Sequence, residues 1–227
     1  MTGVFDHPWL SGLFADTEVA ALWSAEAQLY HMLAFEAAWS RHGHLAGLWA
    51  KDDGAAAASA IEGVTLAPEE LRDGTAKDGV CVPVLVRLLK ERTGATAIHK
   101  GATSQDVIDT ATVLSLVQSL DLIDQRLAQL ASELNALEDR FGTSPLMGRT
   151  RMQAAMPITL AYRVLTWRLP LDTHLDKIER GPRRVAVVHI GGAAGVRETL
   201  VDDGDGGCET VAGESGLSAP TQCCTAM

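Results

Sequence analysis

The chain has 227 residues, enough for one large domain or two small ones, and 47% of them are hydrophobic. Its 29 acidic residues outnumber its 19 basic residues and give a net charge of −10, which argues against nucleic acid or an anionic membrane as a partner of the whole surface. Only 5% of the residues are aromatic, whereas alanine and leucine are abundant, and this composition favours an all-α fold.

Neither a membrane anchor nor a metal site is expected. No segment approaches the roughly 20 apolar residues of a membrane span, and residues 1–6 lack the features of a signal peptide, so a cytoplasmic location is predicted. The cysteines have neither zinc-ligand spacing nor the redox C-x-x-C pattern and are predicted to be reduced thiols. They are Cys81, Cys208, Cys223 and Cys224.

The first part of the chain, residues 1–101, is predicted to be a small helical domain. After a tail or turn region at 1–15, a helical apolar pattern covers 16–41 and ends before Gly43. Shorter helices are predicted from the alanine-rich and leucine-rich patterns that follow. They lie at 52–67, from Pro68 onward, and at 79–91.

The most informative stretch, residues 99–108, is a polar and partly basic loop that runs into a very long helical pattern. Residues 102–141 contain neither glycine nor proline, and nine apolar residues recur there at alternating spacings of three and four. This pattern, here called the apolar seam, predicts a rod of roughly 60 Å packed lengthwise against other helices. The seam is formed by Val113, Leu116, Leu120, Ile123, Leu127, Leu130, Leu134, Leu137 and Phe141.

A second long helix is predicted at 158–180, after a break at 142–148 and a polar segment. Pro170 would kink this helix or end it early. The two long helices make residues 102–190 a predicted, incomplete bundle domain. The remaining segment, 191–227, is rich in glycine and is predicted to be poorly ordered.

Two polar motifs flank the predicted rod. Thr103 or Ser104 can cap its start, where exposed amides and the helix dipole favour a carboxylate or phosphate, and His99 and Lys100 add positive charge. Thr103 and Asp106 resemble a capping box with Asp in place of Glu. An ordinary cap with solvated neighbours is the alternative.

The second motif, residues 148–153, places Arg149 and Arg151 two residues apart in a short polar segment. Guanidinium groups are suited to bidentate recognition of carboxylates. If this segment folds back, its arginines could converge with the start of another helix. The alternative is a charged helix–helix connection.

Both motifs resemble signatures of the fumarase/aspartase superfamily. His-Lys-Gly-Ala-Thr-Ser-Gln-Asp at 99–106 is similar to the superfamily's His-x-Gly-x-Thr-Ser-x-Asp region, and Gly-Arg-Thr-Arg-Met-Gln-Ala-Ala-Met-Pro at 148–157 is similar to its second signature. Within the superfamily, the first motif and its continuation Val-Ile-Asp-Thr resemble bacterial 3-carboxy-cis,cis-muconate cycloisomerases. Residues 191–195 and 216–220 resemble that family as well.

The resemblance implies an N-terminal helical domain followed by the long helices of a central bundle. It also implies a reaction of aromatic catabolism, in the protocatechuate (β-ketoadipate) pathway, in which a carboxymuconate closes to a lactone through an enediolate-like intermediate. No metal or organic cofactor would be required. The partners implied are a small polycarboxylate substrate and further copies of the chain, in a homotetramer whose sites are shared between subunits.

The resemblance also assigns site residues. His99, Ser104 and Arg151 would be catalytic. His99 would transfer a proton, and Arg151 would contribute a positive electrostatic potential. The substrate's carboxylates would be bound by a larger set. These residues are Lys100, Thr103, Arg149, Thr150 and Gln153, with Ser104 contributing.

Departures from the superfamily's pattern indicate which of its families the chain resembles more. Adenylosuccinate lyases carry His where this chain has Arg151, and Arg-His-Asp where it has Ala-Lys-Asp at 76–78, which favours the cycloisomerase over an adenylosuccinate-type or other fumarate-releasing lyase. The superfamily's third signature, a loop with a presumed catalytic serine, is not found, and its members are about twice as long. A truncated chain is therefore expected, and a catalytically incomplete helical fragment is a further alternative.

Overall fold

The computed structural model describes residues 3–181, 185–192 and 204–219. They form two compact units: one runs to Gln118 and includes the described residues from Val185 onward, and the other begins at Ser119. The domain boundaries expected after residues 101 and 190 stay predictions. The division between these two compact units falls within the long helix.

The first unit contains seven short or medium helical segments before the long helix. They are α1 (Ser11–Phe14), α2 (Thr17–Leu22), α3 (Ala25–His42), α4 (Lys51–Glu62), a 3-10 turn (Pro68–Leu71), α5 (Arg72–Asp78) and α6 (Val82–Thr93). The pattern predicted as one helix over 16–41 is divided at Ser24. This residue is extended (φ −65°, ψ 160°), and its hydroxyl accepts the Ala27 amide at 3.1 Å, which starts α3 as a separate helix.

The core of the first unit is built around α3. Phe35 and Trp39, one turn apart on this helix, are almost fully buried. Leu85 and Leu89 of α6 have the same spacing and join them in one apolar cluster. This cluster fixes the position of α3 relative to the residues that follow α6.

The long helix α7 (Ser104–Phe141) has 38 residues and confirms the predicted rod, about 57 Å at 1.5 Å per residue. It begins in the first unit and ends in the second. The start of the apolar seam packs against the first unit's core, as Val113 shows. Further along, four seam residues are 36–47% exposed. They are Ile123, Leu130, Leu137 and Phe141.

The second unit contains the end of α7, the strands β1 (Pro145–Thr150) and β2 (Gln153–Thr159), and α8 (Leu160–Arg180). The strands form an antiparallel hairpin that was not predicted, because Gly148 and Pro157 both disfavour a strand. Gly148 lies where the register shifts, between Met147 and Arg149. With 66% of the described residues helical, the all-α prediction is confirmed, and this hairpin is a small addition to it.

The second long helix, α8, confirms the helix predicted at 158–180 but does not end at Pro170, which lies inside it. Thr159 caps the helix by accepting the Tyr162 amide at 3.2 Å. Arg168 donates to Glu138 of α7 at 3.0 Å. Among the described residues, no helix combines the length and apolar character that a membrane span requires.

A helix lies within the segment predicted to be poorly ordered. Residues 193–203 and 220–227 of that segment lie outside the described residues, but α9 (Gly204–Glu214) packs against α3. This helix packs against α3 because it has an apolar face: Cys208, Val211 and Ala212, which lie within about one turn of each other, are all buried. His42 and Glu214 approach to 2.6 Å and link the end of α3 to the end of α9.

Candidate active site

The loop between α6 and α7 carries the first group of predicted site residues. Gly94 ends α6 with φ 67°, and the loop then passes through His99 at φ 62° and Gly101 at φ 84°. A left-handed backbone is costly for a residue with a side chain and persists only where the surroundings hold it. His99 is therefore in a conformation imposed by its neighbours.

The His99 ring is held by a buried carboxylate. Its Nδ1 lies 2.6 Å from Oε1 of Glu36, which belongs to the middle of α3. The Glu36 side chain is fully buried, whereas 19% of the His99 side chain is exposed. The Nδ1 side of the imidazole thus faces the buried Glu36, and part of the side chain is exposed to solvent.

The residue after His99 is tied to the same part of the fold. Trp39 of α3 donates from Nε1 to the Lys100 carbonyl at 3.0 Å. The Lys100 ammonium, on an exposed residue, donates to the carbonyl of Leu48 at 3.1 Å. This lysine therefore lies beside His99, with its charge at the surface of the unit.

Asp106 joins the start of α7 to a later segment of the chain. Its fully buried carboxylate accepts the backbone amides of Thr103 at 2.8 Å, Gly191 at 2.8 Å and Gly192 at 3.1 Å. Burial raises the pKa of this carboxyl, and the three amide hydrogen bonds act against that rise. The Asp106 carboxylate consequently links the end of the loop, at Thr103, to residues 191–192 by buried hydrogen bonds.

The predicted cap is present in part. Helix α7 begins at Ser104, which places Thr103 at the capping position, and the Asp106 carboxylate binds the Thr103 amide as a capping box requires. The Thr103 amide is thus already occupied and is not available to a ligand. The side chains of Thr103 and Ser104 are half-buried.

The second group of predicted residues lies on the hairpin of the second unit. Arg149 and Thr150 end β1, Gln153 begins β2, and Arg151 lies with Met152 in the turn between them; all are exposed. The segment between the two long helices is therefore a β-hairpin with a two-residue turn. Arg149 braces it by donating to the Met152 carbonyl at 3.3 Å.

Both turn residues have left-handed backbones, with φ 47° at Arg151 and 68° at Met152. This is the conformation of a type I′ hairpin turn, which normally carries Asn or Gly. Bulky residues in such positions store strain, and strain of this kind concentrates at functional sites. His99, Lys100, Thr103 and Ser104 thus form one cluster in the first unit, and Arg149, Thr150, Arg151 and Gln153 form another in the second.

A family model described as lyase matches residues 16–212, which covers both clusters and most of the chain. The chain belongs to this lyase family, which is part of the fumarase/aspartase superfamily. The resemblance of the two motifs to that superfamily is thereby confirmed.

Individual relatives within the family differ in activity. The chain is 31% identical to a 3-carboxy-cis,cis-muconate cycloisomerase of Pseudomonas aeruginosa, over 98% of this chain and 50% of the relative. It is 29% identical to an adenylosuccinate lyase of Archaeoglobus fulgidus, over 87% of this chain and 44% of the relative. The chain thus spans about half the length of the curated relatives that it matches.

A solved structure agrees with the observed fold. The 3-carboxy-cis,cis-muconate lactonizing enzyme of Pseudomonas putida superposes with a TM-score of 0.86 at 30% identity. The match covers 96% of this chain and 51% of that enzyme. The helical architecture of the lyase family is therefore present in the part of the chain that the structure describes.

Sequence reasoning about this chain missed Glu36 and the role of residues 191–192. Glu36 gave a weak signal, since it is a carboxylate within a strongly apolar stretch of α3, between Phe35 and Ala37. Its partner His99 lies 63 residues away, so no local pattern could pair them. Gly191 and Gly192 belong to a segment that resembles the cycloisomerases and was predicted to be poorly ordered, and their contact with Asp106 was not predicted.

Proposed function

We propose that this lyase-family chain belongs to a cofactor-independent cycloisomerase that converts 3-carboxy-cis,cis-muconate to a carboxymuconolactone in aromatic catabolism. One observation carries the proposal: His99 is anchored through Nδ1, and Lys100, Thr103 and Ser104 follow it closely in sequence where a long helix starts. The Pseudomonas aeruginosa relative, which matches 98% of the chain, supports it.

The reaction needs a proton donor and several cationic or amide groups. One carboxylate of the substrate adds across a conjugated double bond and closes the lactone ring. The carbon beside another carboxylate gains negative charge as an enediolate and is then protonated. An imidazole supplies the proton, and fixed positive charge stabilises the oxyanion.

The proposed roles follow the two clusters. In the first, His99 transfers the proton, Ser104 assists at the reacting centre, and Lys100 and Thr103 bind carboxylate. In the second, Arg151 stabilises the developing charge. The groups that bind the remaining carboxylates are Arg149, Thr150 and Gln153. Their exposure on the hairpin leaves their polar groups available to a ligand.

The proposed active form is a homotetramer in which different subunits contribute to each site. Two features support association between copies of this chain. Four of the seam residues of α7 in the second unit are exposed, although they are apolar. Residues 142–171 contain four arginines and no acidic residue in a chain of net charge −10, so the hairpin region complements the acidic remainder.

A fumarate-releasing lyase is the second candidate, favoured by the Archaeoglobus fulgidus relative. The elimination that releases fumarate also passes through charge beside a carboxylate, so the same groups can serve it. Arg151 favours the cycloisomerase, because it stands where the resemblance places a histidine in adenylosuccinate lyases. A catalytically incomplete fragment is the third candidate.

Incubation of the folded chain with two substrates tests these candidates. The chain is mixed with 3-carboxy-cis,cis-muconate or with adenylosuccinate, and products are identified by proton NMR. Lactone formation that Arg149→Ala lowers and Arg180→Ala does not supports the cycloisomerase. Fumarate release supports the lyase, and absence of both products from folded protein contradicts activity of this chain.

A further inference from the structure

Glu36, the partner of the His99 ring, is buried to a degree that is unusual for a glutamate. Glutamate is rarely buried completely unless it is paired, because burial removes the water that solvates its charge. Glu36 nevertheless lies between Phe35 and Ala37 with no exposed side-chain surface. Among the described residues, its Oε2 has no hydrogen-bond partner, so His99 is the partner that compensates its burial.

Two residues on one face of α3 contact the loop that precedes α7. Trp39 lies three residues after Glu36, which places both side chains on one side of the helix. Glu36 binds the His99 ring at 2.6 Å, and Trp39 binds the Lys100 carbonyl at 3.0 Å. These two contacts hold the ring and the peptide that follows it, which accounts for the left-handed backbone of His99 at φ 62°.

A carboxylate at Nδ1 decides which ring nitrogen carries the proton. An ionised carboxylate only accepts hydrogen bonds, so Nδ1 must be the N–H in the neutral ring. Nε2 is then left as the basic nitrogen, and it becomes a donor when the ring gains a proton. Neutral histidine in water carries its proton mainly on Nε2, so the contact selects the less common tautomer.

We infer that Glu36 is a positioning residue for His99: it holds the ring in the Nδ1–H tautomer and presents Nε2 for proton exchange with the substrate. The use of Nε2 in catalysis rests on the proposed function. The tautomer and the orientation of the ring do not, because they follow from the contact alone.

Long-range proton–nitrogen correlation NMR of the ¹⁵N-labelled 227-residue chain tests the inference. His99→Gln identifies the His99 signals by their disappearance. At a pH where the ring is neutral, His99 in the wild-type chain should show a protonated Nδ1 and a bare Nε2. Glu36→Gln should shift it to a mixture rich in the Nε2–H form, while Glu26→Gln, which changes an exposed carboxylate of the same helix, should leave it unchanged.

The outcomes separate this inference from the proposed function. A wild-type His99 that carries its proton on Nε2 overturns the inference even if Glu36→Gln does not fold. So does an unchanged Nδ1–H tautomer in folded Glu36→Gln. If the tautomer depends on Glu36 but the chain turns over no muconate, Glu36 still positions His99 and only the proposed function fails.

Discussion

The Asp106 carboxylate binds the backbone amide of Gly191, 85 residues further along the chain, at 2.8 Å. A second contact to Gly192 and a third to Thr103 make this carboxylate the junction between the start of α7 and residues 191–192. Thr110, one turn further along α7, reinforces the junction by accepting the His189 amide at 3.0 Å. The loop that carries His99 is therefore held both by α3 and by residues 189–192.

Asp106→Asn should destabilise the first unit. Asparagine keeps one acceptor oxygen but replaces the other with an NH2 group, which cannot accept, so at least one of the three backbone donors is left unsatisfied in the interior. The expected loss is about 3 kcal/mol of unfolding free energy. Urea denaturation followed by circular dichroism measures it.

Asp109→Asn is the matched control. This residue lies on the same helix, but its carboxylate is 36% exposed and its contact to His189 is long, at 3.7 Å. Its expected cost is below about 1 kcal/mol. Equal losses in the two variants would contradict the junction role of Asp106.

The long helices were predictable because their signal is local. Residues 102–141 lack glycine and proline and repeat apolar residues at helical spacing, and α7 occupies almost the same range. The hairpin was not predictable, since Gly148 and Pro157 interrupt the strand pattern and bulky residues occupy its turn.

The candidate site was predictable only where its residues are neighbours in sequence. His99, Lys100, Thr103 and Ser104 were identified together, and they lie in the loop before α7 and at its first residue. Glu36 was not identified, because its contact with His99 depends on how α3 packs against the loop. Tertiary packing, which no local pattern encodes, determines such pairs.

Protonation of His31 should weaken the fold in mild acid. Burial lowers the pKa of this imidazole below its ordinary value of 6.5, against a smaller opposing effect of Gln118. The unfolded chain therefore binds a proton first as the pH falls, so the unfolding free energy should decrease below pH 6.5, down to the folded-state pKa.

Urea denaturation of the wild type and of His31→Gln between pH 7.5 and about pH 5 measures this dependence. The variant should lose the His31 component and show a shallower decline. His174→Gln, at an exposed residue of α8, serves as the control and should follow the wild type. Parallel curves for all three proteins would rule out the role of His31.

Met152→Gly should stabilise the hairpin while leaving the arginines in place. Met152 has φ 68°, a conformation that costs a residue with a side chain about 1 kcal/mol and glycine almost nothing. The gain should appear as slower hydrogen exchange of the β1 and β2 amides. Met156→Gly, an exposed strand position of β2, should have the opposite effect, because glycine weakens a strand. Faster exchange in Met152→Gly would contradict the strain at this turn.

Association through the apolar seam should depend on its exposed residues. Leu130 and Leu137, one heptad apart on α7, are 47% and 36% exposed. If copies of the chain pack along this seam, the double variant Leu130→Gln/Leu137→Gln should weaken association at least tenfold in sedimentation equilibrium. Ala136→Gln, at an exposed position of the same helix outside the seam, should associate like the wild type. An unaltered association constant in the double variant would place the contact between copies elsewhere, and a monomeric wild type would remove the proposed tetramer.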